Sequence, residues 1–307
     1  MGRTRRKRGK KAVDENKENG NGVKKRVVVH KCPSCMRTSQ SVCNIINHLK
    51  HHEIKDKYST DDQVLLPYIL LTAGYELKGK LNIGTLSKVL EVAHNGKNYV
   101  VKSLKRGNPF EFEILNSCFT NYTIQILDVL LEGDDMYALF DSCDFNLRLM
   151  LNNWKLKVPF RKYIINEIFM AIKFLHDKEI VHGDITIDHI LIKDGHVKLT
   201  GFKHSFYKTS SNFDIGTDGY KAPEILRKKR KHLDKKIDLW SIGVCVFNCT
   251  NLRHPFYDVD PFVKFNEEEK QLIRNLKISE EFGDDLAKQF KSLMQISPSK
   301  RAITYIV

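Results

Sequence analysis

Two groups of residues in this 307-residue chain carry side chains able to do chemistry. In the first, Cys32 and Cys35 are followed by His48, His51 and His52. Paired thiolates on a tight turn, with two imidazoles about one helical turn apart, can close a tetrahedral Zn²⁺ site with Cys32, Cys35, His48 and His52 as ligands. Cys43 and His51 are the alternative ligands. A segment this short has no core of its own, so the metal would supply its folding energy. The second group lies in the stretch from His182 to Phe202, HGDITIDHILIKDGHVKLTGF. Asp184 follows His182-Gly183 on a short loop. An apolar run, Ile190-Leu191-Ile192, then leads through Lys193-Asp194-Gly195 into Val197-Lys198-Leu199, which reads as a hairpin by its turn chemistry and alternation.

These groups sit in a chain of uneven charge. The net charge is +14, and residues 1–31 hold twelve Lys/Arg against three Asp/Glu. The run Arg3-Thr4-Arg5-Arg6-Lys7-Arg8-Gly9-Lys10-Lys11 has nothing apolar to bury and is expected to be a disordered tail. It suits nuclear import or a non-specific contact with nucleic-acid phosphates. Within the tail, Lys17-Glu18-Asn19 resembles a short degradation signal read by the anaphase-promoting ubiquitin ligase. With 41% hydrophobic and 29% charged residues the composition is that of an ordinary soluble chain. The longest apolar-rich stretch, Val64 to Leu71, is interrupted by Pro67 and too short to span a bilayer, so no membrane contact is expected. The basic N-terminus has no apolar segment behind it and does not read as a secretory signal, and Arg6 argues against myristoylation of Gly2. Seven scattered cysteines, an odd number, point to a reducing compartment rather than a disulfide framework.

The spacing Cys32-x2-Cys35, then His48 and His52, resembles a C2H2 zinc finger, although Ser39 stands where an aromatic usually packs. From Tyr75 onward the chain resembles the eukaryotic protein kinases. His182-Gly183-Asp184-Ile185 and the following residues match the catalytic loop H-R-D-L-x-x-x-N, and Gly201-Phe202 falls where D-F-G is expected. Tyr99-Val100-Val101-Lys102 resembles the V-A-I-K strand, and Leu81 to Val89 sits where the glycine-rich loop belongs. Gly216 to Glu224 resembles the end of the activation segment, and Asp238 to Gly243 the buried central helix. Arg301 fits the arginine that pairs with Glu224. The resemblance implies an α+β, two-lobed fold, with an antiparallel β N-lobe over a helical C-lobe. The expected boundaries are a basic tail over 1–29, the finger over 30–56, a linker over 57–74 and the kinase-like domain over 75–307.

The same resemblance assigns roles and exposes losses. Gly84 and Val89 would cover the nucleotide, Lys102 would meet its α- and β-phosphates, and Glu111 would pair with Lys102. Val100 narrows the adenine slot and Phe140 closes its back. Asp184 would accept the substrate hydroxyl proton. Of three loop glycines only Gly84 remains, with Asn82 and Ser87 in place of the others. His189 stands at the metal-holding asparagine and Gly201 at the metal-holding aspartate. Thr186 replaces a lysine that would steady the γ-phosphate, and Gly183 replaces the arginine that gathers a phosphorylated activation loop. Mg²⁺ needs hard oxygen ligands, and an imidazole is a poor substitute. The expectation is therefore a pseudokinase: a nuclear binding or regulatory scaffold with structural zinc in the finger, weak ATP binding at most and Mg²⁺ binding lost. Its partners would be proteins, met through the kinase-like domain and the finger. One alternative is an active, atypical Ser/Thr kinase with Asp184 as base. The other is a nucleic-acid-associated zinc-finger protein that uses the kinase-like domain as a docking platform.

Overall fold

The computed structural model describes residues 30–31, 38–39, 67–81, 89–104, 109–117, 122–132, 135–228, 231–256 and 267–304. The chain forms two compact units, Met1–Gly74 and Tyr75–Val307. In the first, His30–Lys31 pairs antiparallel with Thr38–Ser39, and a short helix spans Tyr68–Thr72 inside the expected linker. The candidate zinc ligands Cys32, Cys35, His48 and His52, their alternatives Cys43 and His51, the basic run and Lys17-Glu18-Asn19 lie outside the described residues. So does Gly84.

The second unit begins with strands β1 (Glu76–Leu81), β2 (Val89–His94) and β3 (Lys97–Leu104), helix α1 (Pro109–Ser117), and strands β4 (Ile126–Glu132) and β5 (Asp135–Asp141). They make a five-stranded antiparallel sheet in the order β1-β2-β3-β5-β4. The β2–β3 hairpin turns on Asn95-Gly96, both at positive φ (+50° and +78°). That backbone matches the right-handed twist of two paired strands, and Asn-Gly is the dipeptide that tolerates it. Register sets Lys102 opposite Val89 on one side and Ala138 on the other. Helix α1, one of the few non-sheet elements before the helical half, carries Glu111 in its first turn.

The rest of the unit is mainly helical, as the resemblance implies. Helix α2 (Leu147–Asn153) is followed by α3 (Val158–Asp177), the hairpin β6 (Ile190–Lys193) and β7 (His196–Leu199), and α4 (Pro223–Arg227). Helices α5 (Lys236–Asn251), α6 (Glu267–Asn275) and α7 (Asp284–Leu293) complete it. Helix α5 is buried on every side from Ile237 to Thr250, which is the signature of a central core helix. Around it pack Ile165, Ile168, Phe169 and Ile172 of α3 and Phe290 and Leu293 of α7. The β6–β7 hairpin turns on Asp194-Gly195, again with both φ positive. It is tied toward the sheet by Leu199 N–H donating to Tyr122 O (2.7 Å) and Ile124 N–H donating to Leu199 O (3.0 Å).

A buried ion pair fastens the base of this half. Arg301, with no exposed surface, donates from Nη1 and Nη2 to the two carboxylate oxygens of Glu224 at 2.7 and 2.8 Å. Its remaining donors reach Gln295 O, Lys236 O and Ile296 O. Removing one partner strands a buried charge, which costs about 3–5 kcal/mol. Arg301→Ala or Glu224→Ala is therefore expected to lower the unfolding free energy by about 3–5 kcal/mol in urea titrations, and a loss within experimental error would refute that assignment.

Candidate active site

The loop that presents Asp184 is held from below by a buried carboxylate. Asp238, in the first turn of α5 and 1% exposed, accepts the backbone N–H of His182 (2.9 Å) and of Gly183 (2.9 Å), and accepts from His176 Nε2 (2.8 Å). His182 itself is fully buried and both ring nitrogens are engaged. Nδ1 accepts from Asp184 N–H (3.2 Å), so the proton sits on Nε2, which donates to Thr200 O (3.0 Å). Burial pushes the His182 imidazole below its ordinary pKa, with the nearby His189 adding to the depression and Asp238 opposing it. A neutral ring is what this pair of hydrogen bonds requires.

Asp184 is 8% exposed and faces the activation segment. Thr217 Oγ1 donates to its Oδ1 at 2.7 Å, and His189 Nδ1 lies 3.6 Å from its Oδ2. Thr186, 1% exposed, turns its hydroxyl inward and accepts Asp188 N–H and His189 N–H, both at 3.2 Å. It serves as a cap for the loop backbone. Asp188 is turned toward α2, where Arg148 grips it with Nε on Oδ1 (2.6 Å) and Nη2 on Oδ2 (2.5 Å). That leaves it committed away from Asp184. Asn146 completes the lock by donating to Asp188 O at 2.8 Å.

In the sheet half of the unit, Lys102 of β3 forms an ion pair with Glu111 of α1, the two side chains only 14% and 8% exposed. Val89 is buried beside Lys102 in the register, and Phe140, opposite Val100 on β5, is 2% exposed. Gly201 begins the turn Phe202–His204 with φ +85°. A separate cleft of about 870 Å³, bordered by Tyr122, Phe174, Cys143 and the Lys193–Asp141 pair, includes neither Lys102 nor Asp184.

The expected residues Lys102, Glu111, Val89 and Asp184 thus lie in the second unit with their partners defined. Two contacts were not legible from spacing: Thr217 on Asp184, and Arg148 on Asp188. Thr217 lies in the Gly216–Glu224 run, but nothing along the chain links it to a residue 33 positions earlier. The Arg148–Asp188 pair bridges 40 positions and leaves no periodic trace.

Residues 75–304 match the protein kinase domain family, and the chain belongs to that family. The chain is 24% identical to cAMP-dependent protein kinase type 3 of Saccharomyces cerevisiae over 267 residues, covering 82% of this chain and 63% of that protein. It is 34% identical to developmentally-regulated protein kinase 1 of Dictyostelium discoideum over 149 residues, 47% of this chain and 20% of that one. It is 28% identical to serine/threonine-protein kinase PSK2 of Saccharomyces cerevisiae over 233 residues, 64% and 20% respectively. The matched region spans less than two thirds of the length of each of these relatives.

The buried histidines make stability depend on pH. Burial lowers the pKa of His182, His204 and His254 in the folded protein. As pH falls through the unfolded value of about 6.5, the unfolded chain takes up protons that the folded chain refuses. Stability is therefore expected to be full above about pH 6.5 and to fall below it, by up to about 1.4 kcal/mol per pH unit for the fully buried His182 and by less for the partly exposed His204 and His254. Urea titrations at pH 7.5 and 5.5, with His182→Asn as comparison, check this; a wild-type protein as stable at pH 5.5 as at 7.5 would contradict the buried neutral imidazole.

Proposed function

We propose that this kinase-family protein is catalytically inactive and works as a nuclear binding or regulatory scaffold. One observation carries the reading: at the two positions where the family holds its metal, this chain has Gly201, which offers no side-chain ligand, and His189, whose Nδ1 is spent on Asp184 O at 2.7 Å. Phosphoryl transfer is mostly positioning plus neutralisation of charge by Mg²⁺, so losing the oxygen ligands removes the step's main support. Asp188, the nearest other carboxylate on the loop, is bound to Arg148. The intact scaffold pairs, Glu224 with Arg301 and Asp238 with the loop backbone, support a fold kept for binding. The basic run of the tail supports nuclear import. The spacing of Cys32, Cys35, His48 and His52 supports a structural zinc ion and a protein contact through the finger.

A second reading, an atypical Ser/Thr kinase, draws on the Lys102–Glu111 pair and on Asp184 with Thr217 bound to it. The relatives' names, which include a serine/threonine-protein kinase, favour it too. Under this reading Asp184 is the base and Lys102 contacts the phosphates.

Labelled-phosphate transfer to a generic protein substrate, with Mg²⁺ or Mn²⁺, separates the two. Wild type is expected to match Asp184→Asn and Lys102→Met at background. Transfer that either substitution abolishes, with the circular dichroism spectrum unchanged, would establish the second reading. Metal analysis of the purified chain is expected to find zinc that Cys32→Ser removes.

A further inference from the structure

Gly201 and His189 are joined by space as well as by their loss of metal ligands. A Cβ built on Gly201 would lie 2.6 Å from His189 Cδ2, 2.7 Å from Cγ and 2.8 Å from Nε2. Real Cβ atoms essentially never approach other heavy atoms so closely, and these are atoms of a rigid ring near its attachment, not the far end of a flexible chain. The ring cannot easily swing aside. Nδ1 is held by Asp184 O at 2.7 Å, the His189 N–H by the Thr186 hydroxyl at 3.2 Å, and His189 O by Thr200 N–H at 3.0 Å. Gly201 also has φ +85°, a conformation costly for residues with a Cβ. The imidazole therefore fills the room that a side chain at 201 would enter.

From this we propose that His189 is a plug: positions 189 and 201 are sterically coupled, and the cleft takes the phosphates of a nucleoside triphosphate without a divalent cation. The inference rests on the inactive reading above and deepens it. A metal in the family bridges a carboxylate at this point of the loop to the phosphates. Here the carboxylate is gone, so its repulsion of the phosphates, which a cation would otherwise offset, is gone too. Lys102, paired with Glu111 and little exposed, is the cation that the family resemblance places at the phosphates. The Asp184 carboxylate is partly occupied by the Thr217 hydroxyl. An octahedral Mg²⁺ site cannot be assembled from Gly201, a single imidazole and an Asp188 turned toward Arg148.

The test is thermal melting and titration calorimetry of the full chain with ATP in EDTA, Mg²⁺ or Mn²⁺. The variants are Gly201→Asp, His189→Ala and the double substitution. Wild type is expected to melt higher with ATP in EDTA, with an affinity that Mg²⁺ or Mn²⁺ changes by less than about tenfold. Gly201→Asp is expected to melt several degrees lower than wild type and to gain no metal dependence. The double variant is expected to recover much of that loss, because alanine at 189 removes the ring together with its Cγ, and to bind ATP more tightly with Mg²⁺ than in EDTA through the carboxylate introduced at 201. Three results would overturn the proposal: wild-type binding that needs a metal, no ATP effect in EDTA, or a Gly201→Asp variant that is stable and metal-dependent by itself. Phosphate transfer by wild type would instead sink the inactive reading, and it is measured separately from these binding and melting data.

Discussion

Everything near Asp184 depends on one buried carboxylate. Asp238 stands 1% exposed in the first turn of a helix that is buried on all sides, where an unpaired charge would be very costly. It is tolerated because three donors converge on it: the His182 and Gly183 amides and the His176 ring. Those bonds satisfy the charge and at the same time fix the backbone that leads into Asp184. The position of the loop thus follows from the need to solvate an acid inside the helical core.

With the loop fixed, its side chains have little freedom. His182 is caught between Asp184 N–H and Thr200 O and packs 4.7 Å from the Phe202 ring. Gly183 has φ +78°, and a Cβ there would lie 2.3 Å from His204 O. Glycine, which stands here in place of the arginine of the family pattern, leaves room for His204 O to come this close to the loop. Ser205 donates to His182 O at 2.7 Å, and Phe206–Tyr207 pairs with Ile180–Val181. Contacts of ordinary packing hold a segment that the family fastens through a phosphorylated residue, which fits the absence of a receiving arginine.

The scaffold and the chemistry have diverged. The Glu224–Arg301 pair, the Asp238 contacts and the Lys102–Glu111 pair all have the partners the family resemblance implies. The positions that would hold a metal do not.

Much of the architecture was legible along the chain because its signals are local. Lys193-Asp194-Gly195 marked a hairpin turn, and the resemblance at Asp238 to Gly243 marked the buried central helix; the Asn95-Gly96 turn went unread although its dipeptide is an equally local signal. The residue types at 189 and 201 were legible because they need no folding to be known: glycine brings no side-chain ligand in any fold. The tertiary structure decided where the remaining side chains point. It turned Asp188 to Arg148, brought Thr217 to Asp184 and laid the His189 ring over Gly201. Those contacts join residues 12 to 40 positions apart, and their geometry is set by how the loop, α2 and the activation segment pack around the core. Spacing along a chain fixes which groups are available; only packing fixes the directions in which they face.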